Sequence, residues 1–169
     1  MAPNREWTAL EALGVAIRSE VEAASLYAKL ASQVQNPSLV TKLSFLQQEE
    51  QKHREMLESL YHSQFPDVAL ELPAKSLVPE IGAADLTKMT VPELFQLAMR
   101  AEESSAEFYA QEADRSRDEK GRAILRYLSN VERGHYRMLE TEYELLSRFP
   151  DYYNADEFHF GEELVHIGP

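Results

Sequence analysis

The sequence predicts an all-α fold: a four-helix bundle made of a duplicated helix pair, with one long crossover between helices 2 and 3. Three observations predict it, namely an internal repeat, four helix-start signals, and apolar residues spaced three and four apart. The 169 residues are about the length of one domain. We expect residues 1–149 to form the bundle and residues 150–169 to form a tail that packs on it or extends from it.

The internal repeat relates two segments of the chain by a shift of 82 residues. Residues 8–61 align without gaps to residues 90–143, and 17 of the 54 aligned positions are identical. Average composition would give about three or four identities by chance. We therefore expect the two halves to be copies of one helix pair.

Each predicted helix begins at a capping signal. The first and third helices start with capping boxes, in which a threonine hydroxyl and a glutamate carboxylate bond to otherwise unpaired backbone N–H groups. These are Thr8-Ala-Leu-Glu11 and Thr90-Val-Pro-Glu93. The second helix starts at Asn36-Pro37, a cap followed by a proline at the first helical position, and the fourth starts near Asp118. A proline ends the second helix of each half, at Pro66 and at Pro150.

The connection from helix 2 to helix 3, residues 65–89, carries three prolines and no sustained periodicity. It is far longer than a turn needs. A segment of this length can run along the whole bundle, so helix 3 is predicted to start at the opposite end. The other two connections are short, so each pair should be antiparallel.

Composition excludes several classes of function. The net charge is −12, and an acidic surface repels nucleic acids and anionic membranes. There is no cysteine, which excludes a disulfide scaffold, a thiolate metal site and a cysteine nucleophile. No stretch approaches the ~18 apolar residues of a membrane span, and the N-terminus has no apolar signal region. We expect a cytoplasmic protein without nucleic-acid or membrane partners.

Charged residues occupy the stripe that should form the core. The three-four spacing places the following residues on the inner face of their helices: Glu20 in helix 1, Glu50 and His53 in helix 2, Glu102 in helix 3, and Glu132 and His135 in helix 4. Leucines, alanines and other apolar residues fill most of the remaining stripe positions. No lysine or arginine lies on these stripes. Four buried carboxylates without cations would be costly.

Divalent metal resolves this cost. The positive charge of two divalent ions equals the negative charge of four glutamates. A Glu-x-x-His pair puts both side chains on one helix face, so both can bind one ion. One glutamate from each of two helices plus Glu-x-x-His from each of the others is the ligand set of di-iron and di-manganese carboxylate proteins. Carboxylate and imidazole ligands suit iron or manganese, although zinc would also bind. We predict these six residues to be metal ligands.

Other polar residues receive weaker assignments. Tyr27 and Tyr109 also lie on the core stripes, and either pack with a bonded hydroxyl or take part in proton or electron transfer. A third Glu-x-x-His segment, Glu163-Leu-Val-His166, has no counterpart in the repeat, so we treat it as coincidental. Six more residues are expected on the surface: Glu22, Glu49, His62, Glu103, Glu107 and His159.

The pattern Glu20…Tyr27, Glu50-x-x-His53, Glu102…Tyr109, Glu132-x-x-His135 resembles the rubrerythrin-like branch of the ferritin-like superfamily. The resemblance covers residues 8–148 and implies a ferritin-like bundle with a non-haem di-iron centre that reacts with hydrogen peroxide or dioxygen. It implies that the four glutamates and two histidines are iron ligands, with Tyr27 and Tyr109 beside them. Which carboxylates bridge the two irons stays open at this point.

Two departures from the family pattern are visible. Rubrerythrins often carry a cysteine-bound rubredoxin centre, and this chain has none, which implies an external electron donor such as a rubredoxin. They also carry an extra carboxylate one turn after the helix 3 ligand, where this chain has Ser105, with Ala23 as its counterpart in helix 1.

We expect a peroxide- or dioxygen-reducing oxidoreductase, acting as a homodimer in defence against oxidative stress. Three alternatives remain: a ferroxidase for iron storage, a di-iron hydroxylase, and a dimanganese catalase-like enzyme.

Overall fold

The computed structural model describes residues 7–78 and 88–153 of the chain. Within these ranges it contains four long α helices, one short 3-10 helix and no strand. The α helices are α1 (Ala9–Gln33), α2 (Pro37–Gln64), α3 (Val91–Arg115) and α4 (Glu119–Arg148), and the 3-10 helix is Pro150–Tyr153. The predicted four-helix bundle is confirmed.

The helices begin where the capping signals predict. Thr8 and Thr90 each form a complete capping box with the glutamate three residues later. Asn36 accepts from the backbone N–H of Leu39 at 3.1 Å, and Asp118 caps α4 by accepting from the N–H of Gly121 at 2.7 Å. These side chains bond donors that lack an intrahelical partner, which fixes each helix start.

Two apolar clusters fill the two ends of the bundle. One contains Leu30 and Leu39 together with Phe95 and Leu146, so it joins the end of α1, the start of α2, the start of α3 and the end of α4. The other contains Leu13, Leu60, Phe108 and Leu125, from the opposite ends of the same helices. Helix α3 therefore starts at the far end from where α2 finishes, as the long crossover predicts.

The crossover follows α1 back along the bundle. Tyr61 donates its hydroxyl to the carbonyl of Ala69 at 3.1 Å. Further on, the Leu77 N–H donates to the Ser19 hydroxyl at 2.8 Å. A side-chain carbon added at Gly14 would lie 3.3 Å from the Pro73 ring. The glycine thus permits the close approach, and the serine bonds a loop N–H that no strand or helix would satisfy.

Among the described residues, no helix is long and apolar enough to cross a membrane. Most of the predicted tail lies outside those residues, together with His159 and the Glu163–His166 match. The assignment of residues 1–149 and 150–169 as separate regions stays a prediction.

Candidate metal centre

The six predicted ligand residues meet between the two apolar clusters. Each helix turns its charged stripe positions toward the bundle axis, because residues three or four apart share one face. All six side chains are buried, and none of these residues is more than 4% exposed. They form the set Glu20, Glu50, His53, Glu102, Glu132 and His135.

The two histidines are related by the repeat and have closely matching surroundings. Nδ1 of His53 lies 3.0 Å from Glu132, 3.2 Å from Glu50 and 3.6 Å from Glu20. Nδ1 of His135 lies 3.0 Å from both Glu50 and Glu132 and 3.8 Å from Glu102. The imidazole rings stack at 5.6 Å between centroids with an interplanar angle of 15°.

Glu50 and Glu132 are shared by the two histidines. Glu50 directs Oε2 to His53 and Oε1 to His135, whereas Glu132 directs Oε1 to His53 and Oε2 to His135. Two groups of four donors result: one is Glu20, Glu50, His53 and Glu132, and the other is Glu50, Glu102, Glu132 and His135. Within each group the donor atoms lie within 4.8 Å of one another.

Several buried polar atoms in this cluster lack a hydrogen bond from any described residue. They are Oε1 of Glu50, both carboxylate oxygens of Glu132, Nε2 of His53 and Nδ1 of His135. Buried polar atoms are nearly always paired in proteins. Divalent cations bind nitrogen and oxygen at about 2.0–2.2 Å, so neighbouring donors on one ion lie about 3 Å apart. The 3.0 Å separations match this spacing, and the donor set fits metal.

Charge in the cluster is balanced only by the two histidines among the described residues, since every ion pair of the four glutamates joins one of them. Burial raises the pKa of Glu50, and the neighbouring carboxylates of Glu132 and Glu20 raise it further. Burial and the charge of Glu50 also raise the pKa of Glu102. These carboxyl groups retain protons that a cation would displace.

In His53, His135 and Glu132, contacts within the cluster outweigh the effect of burial on the pKa. Burial opposes the charged form of His53, but hydrogen bonds with three carboxylates outweigh it and raise its pKa. The pKa of His135 is raised too, against burial, by Glu132 and Glu102. Burial acts to raise the pKa of Glu132, yet its close contacts with the two histidines lower it.

The two tyrosines reach across the bundle to the glutamate of the other half. Tyr27 on α1 donates its hydroxyl to Glu102 on α3, and Tyr109 on α3 donates to Glu20 on α1. Both tyrosines are fully buried. Burial and the adjacent carboxylate raise each phenol's pKa well above its usual value. The structure therefore brings the tyrosines to the cluster as hydrogen-bond donors.

Residues predicted to lie on the surface are mostly there. Glu103, Glu107 and His62 are exposed. Glu22 and Glu49 are partly buried, since Glu22 pairs with Arg18 and Glu49 with Lys52, each at 2.7 Å.

Two buried glutamates lie outside the cluster and were not predicted. Glu142 on α4 is 3% exposed and pairs with Lys42 on α2. Glu112 on α3 pairs with Arg115 at 2.9 Å. Glu142 continues the three-four spacing of Glu132, His135 and Leu139. Extending that stripe by one step would have found it.

The chain is similar to known proteins over most of its length. The family model for rubrerythrin matches residues 11–143. The solved structure of a hypothetical protein from Pyrococcus furiosus is 34% identical in sequence, with a TM-score of 0.75; the similarity covers 85% of this chain and 92% of that one. No curated protein matches the chain. On the evidence of the fold, the buried carboxylate and histidine cluster and the family match, this chain belongs to the rubrerythrin family.

Proposed function

We propose that the protein binds two iron ions at this cluster and is an oxidoreductase that reduces hydrogen peroxide or dioxygen. The observation that carries the proposal is the pair of four-donor groups that share Glu50 and Glu132. A mononuclear site would not need two histidines that each face both shared carboxylates. Family membership supports iron as the metal.

The assignment of ligands follows the two groups. His53 and Glu20 would hold one ion, His135 and Glu102 the other, and Glu50 and Glu132 would contact both. Four carboxylates balance the charge of two divalent ions. The mixture of imidazole and carboxylate suits iron, and also admits manganese or zinc.

When bound, ferrous iron supplies electrons and Lewis acidity. Reduction of H2O2 to two water molecules takes two electrons and two protons, and two ferrous ions held by the cluster would supply both electrons. The chain's own residues provide the surroundings. Tyr27 and Tyr109 stay protonated because their pKa values are raised, and their hydroxyls hold Glu102 and Glu20 in place. The apolar clusters on either side limit access of water.

Turnover requires a source of electrons. The sequence has no cysteine to hold an electron-transfer centre of its own. We therefore include in the proposal an external one-electron donor of the rubredoxin kind and a homodimer as the working unit. Size-exclusion chromatography separates this dimer from the many-subunit particle that iron storage would require.

Rapid-mixing absorbance spectroscopy tests the reaction. Metal-free protein is loaded with two equivalents of ferrous iron without oxygen and mixed with peroxide or with dioxygen. We expect fast formation of a ferric absorbance band, with two irons oxidised per peroxide consumed.

One variant removes carboxylates of the cluster, and a second variant changes an exposed glutamate as a control. Glu50→Ala/Glu132→Ala removes both shared carboxylates, and we expect the rate to fall by more than about tenfold, because even outer partners of metal ligands are typically worth 10–100-fold. Glu103→Gln changes an exposed neighbour of Glu102 and should react like the unmodified protein. Oxidation at the same rate in the double variant would refute the proposal.

A further inference from the structure

A pocket of about 400 Å³ opens at the end of the bundle where α1 and α4 start. Its apolar lining comes from all four helices and includes Ala12, Leu13, Leu60, Phe108 and Leu125. The volume lies within the range of small-molecule sites, about 300–1,000 Å³. The mostly apolar lining with a few polar groups at one side is also typical of such sites.

Comparison of repeat-related positions shows that the pocket arises from the residues at this end of the bundle. At the opposite end, two of the residues 82 positions away are larger and belong to the close-packed core. Leu94 stands where this end has Ala12, and Phe95 where it has Leu13. Both are completely buried. The same helix geometry is thus filled at one end and left open at the other.

The rim of the pocket differs in the same manner. Gln64, Glu112, Ser116 and Gly121 take the positions that Leu146, Leu30, Val34 and Leu39 fill at the other end. Gly121 has a clear reason: a side-chain carbon there would lie 2.9 Å from the Asp118 carboxylate and 3.0 Å from the Gln64 amide. Three apolar core residues of the other end thus correspond to polar residues that line this pocket, and a fourth corresponds to Gly121.

Charges at the rim cancel. Glu112 pairs with Arg115 at 2.9 Å, and Asp118 accepts from Gly121 and from the Gln64 amide nitrogen at 3.3 Å. The remaining charged residue of the lining is Arg117, so the lining contains two carboxylates and two guanidinium groups. Gln64 donates through its nitrogen and leaves its carbonyl oxygen as an acceptor. The chemistry favours a neutral molecule with a hydrogen-bond donor.

We propose that this pocket binds a neutral, mostly apolar small molecule that places one hydrogen-bond donor at the Gln64 rim. The site is separate from the carboxylate cluster, because the buried layer of Ile17, Leu57 and Leu128 lies one helical turn further in. It requires no metal and stands apart from the proposed reaction.

Trp7 provides the readout. It is the single tryptophan of the chain and lines the pocket. N-phenyl-1-naphthylamine is a neutral, apolar amine with one N–H donor, and it accepts excitation energy from tryptophan. Titrating it into the full-length, metal-free protein should give saturable energy transfer from Trp7 with one probe per chain.

Two variants copy the filled end of the bundle into the open end. Ala12→Leu introduces the residue found at position 94 and Gln64→Leu the one found at position 146; each should weaken probe binding at least about tenfold, because the added side chain occupies the site. Ala69→Leu is the matched control. Ala69 lines a second pocket, which Trp7 also lines, but it does not line the proposed site. Binding should therefore stay within about twofold of the unmodified protein.

Circular dichroism shows whether each variant folds. If Ala12→Leu does not fold, probe binding to Gln64→Leu provides the test. Three results would overturn the proposal: no saturable binding to the unmodified protein, unchanged binding in the folded pocket variants, or an equal loss in Ala69→Leu.

Discussion

The hydrogen bond between Tyr109 and Glu20 should be among the strongest single polar contributions to stability in the metal-free protein. Tyr109 is fully buried, and Glu20 is 2% exposed. The phenol donates to a carboxylate from which water is largely excluded. Tyr109→Phe removes one oxygen atom, keeps the ring, and deprives a buried carboxylate of its donor.

The magnitude follows from the kind of partner. A hydrogen bond to a charged group contributes about 1.5–3 kcal/mol, against about 0.5–1.5 kcal/mol for a neutral one. We expect Tyr109→Phe to lower the free energy of unfolding by about 2 kcal/mol. In a chain of this size that corresponds to a fall in Tm of about 4–8 °C.

Urea and thermal unfolding, followed by circular dichroism with a chelator present, measure this effect. Tyr27→Phe removes the repeat-related bond to Glu102; because burial raises the pKa of Glu102, its partner is the neutral carboxyl group, and about 1 kcal/mol should be lost. Tyr61→Phe is the control: Tyr61 is as buried, but it donates to the neutral backbone carbonyl of Ala69, so about 1 kcal/mol should be lost. Equal losses in all three variants would show that the carboxylate partner adds nothing and would refute the reasoning.

Three further predictions concern the metal ligands and the helix caps. Glu20→Ala should weaken the binding of one metal ion and Glu50→Ala the binding of both, because Glu20 belongs to one donor group and Glu50 to two. Equal losses of affinity in the two variants, measured by titration calorimetry, would contradict this. Asn36→Ala should cost about 1–2 kcal/mol in urea unfolding, since the buried cap bonds the Leu39 N–H. Hydrogen bonds from Thr90 lower the pKa of Glu93, so its stabilisation is present above the unfolded-state pKa of about 4.3 and is lost as pH falls through the lower folded-state value. Unfolding of Glu93→Ala and unmodified protein should therefore differ at pH 7 and converge in acid.

Local chemistry explains why much of the fold could be predicted. A cap such as Thr8 acts on backbone groups three residues away, so the sequence contains the whole interaction. The same holds for the register of Glu50 and His53, because the helix period fixes which face they share. Both features were confirmed in the structure without knowledge of how the helices pack.

Contacts between helices could not be predicted in this way. The hydrogen bond between Tyr27 and Glu102 depends on the distance between two helices. The spacing of residues along one helix cannot predict that distance. The burial of Glu142 depends on Lys42, which lies 100 residues away in the chain. The path of the crossover along α1 likewise depends on the close approach of Gly14 and Pro73, which are far apart in the sequence.

Each donor group takes three residues from one half of the repeat and one from the other: Glu132 completes the set around His53, and Glu50 completes the set around His135. Neither helix pair alone could assemble four donors, although two identical pairs arranged about a twofold axis could. Metal binding would therefore stabilise the association of the two halves, because each ion would take ligands from both. A single helix pair would have to dimerise to form either group of four donors.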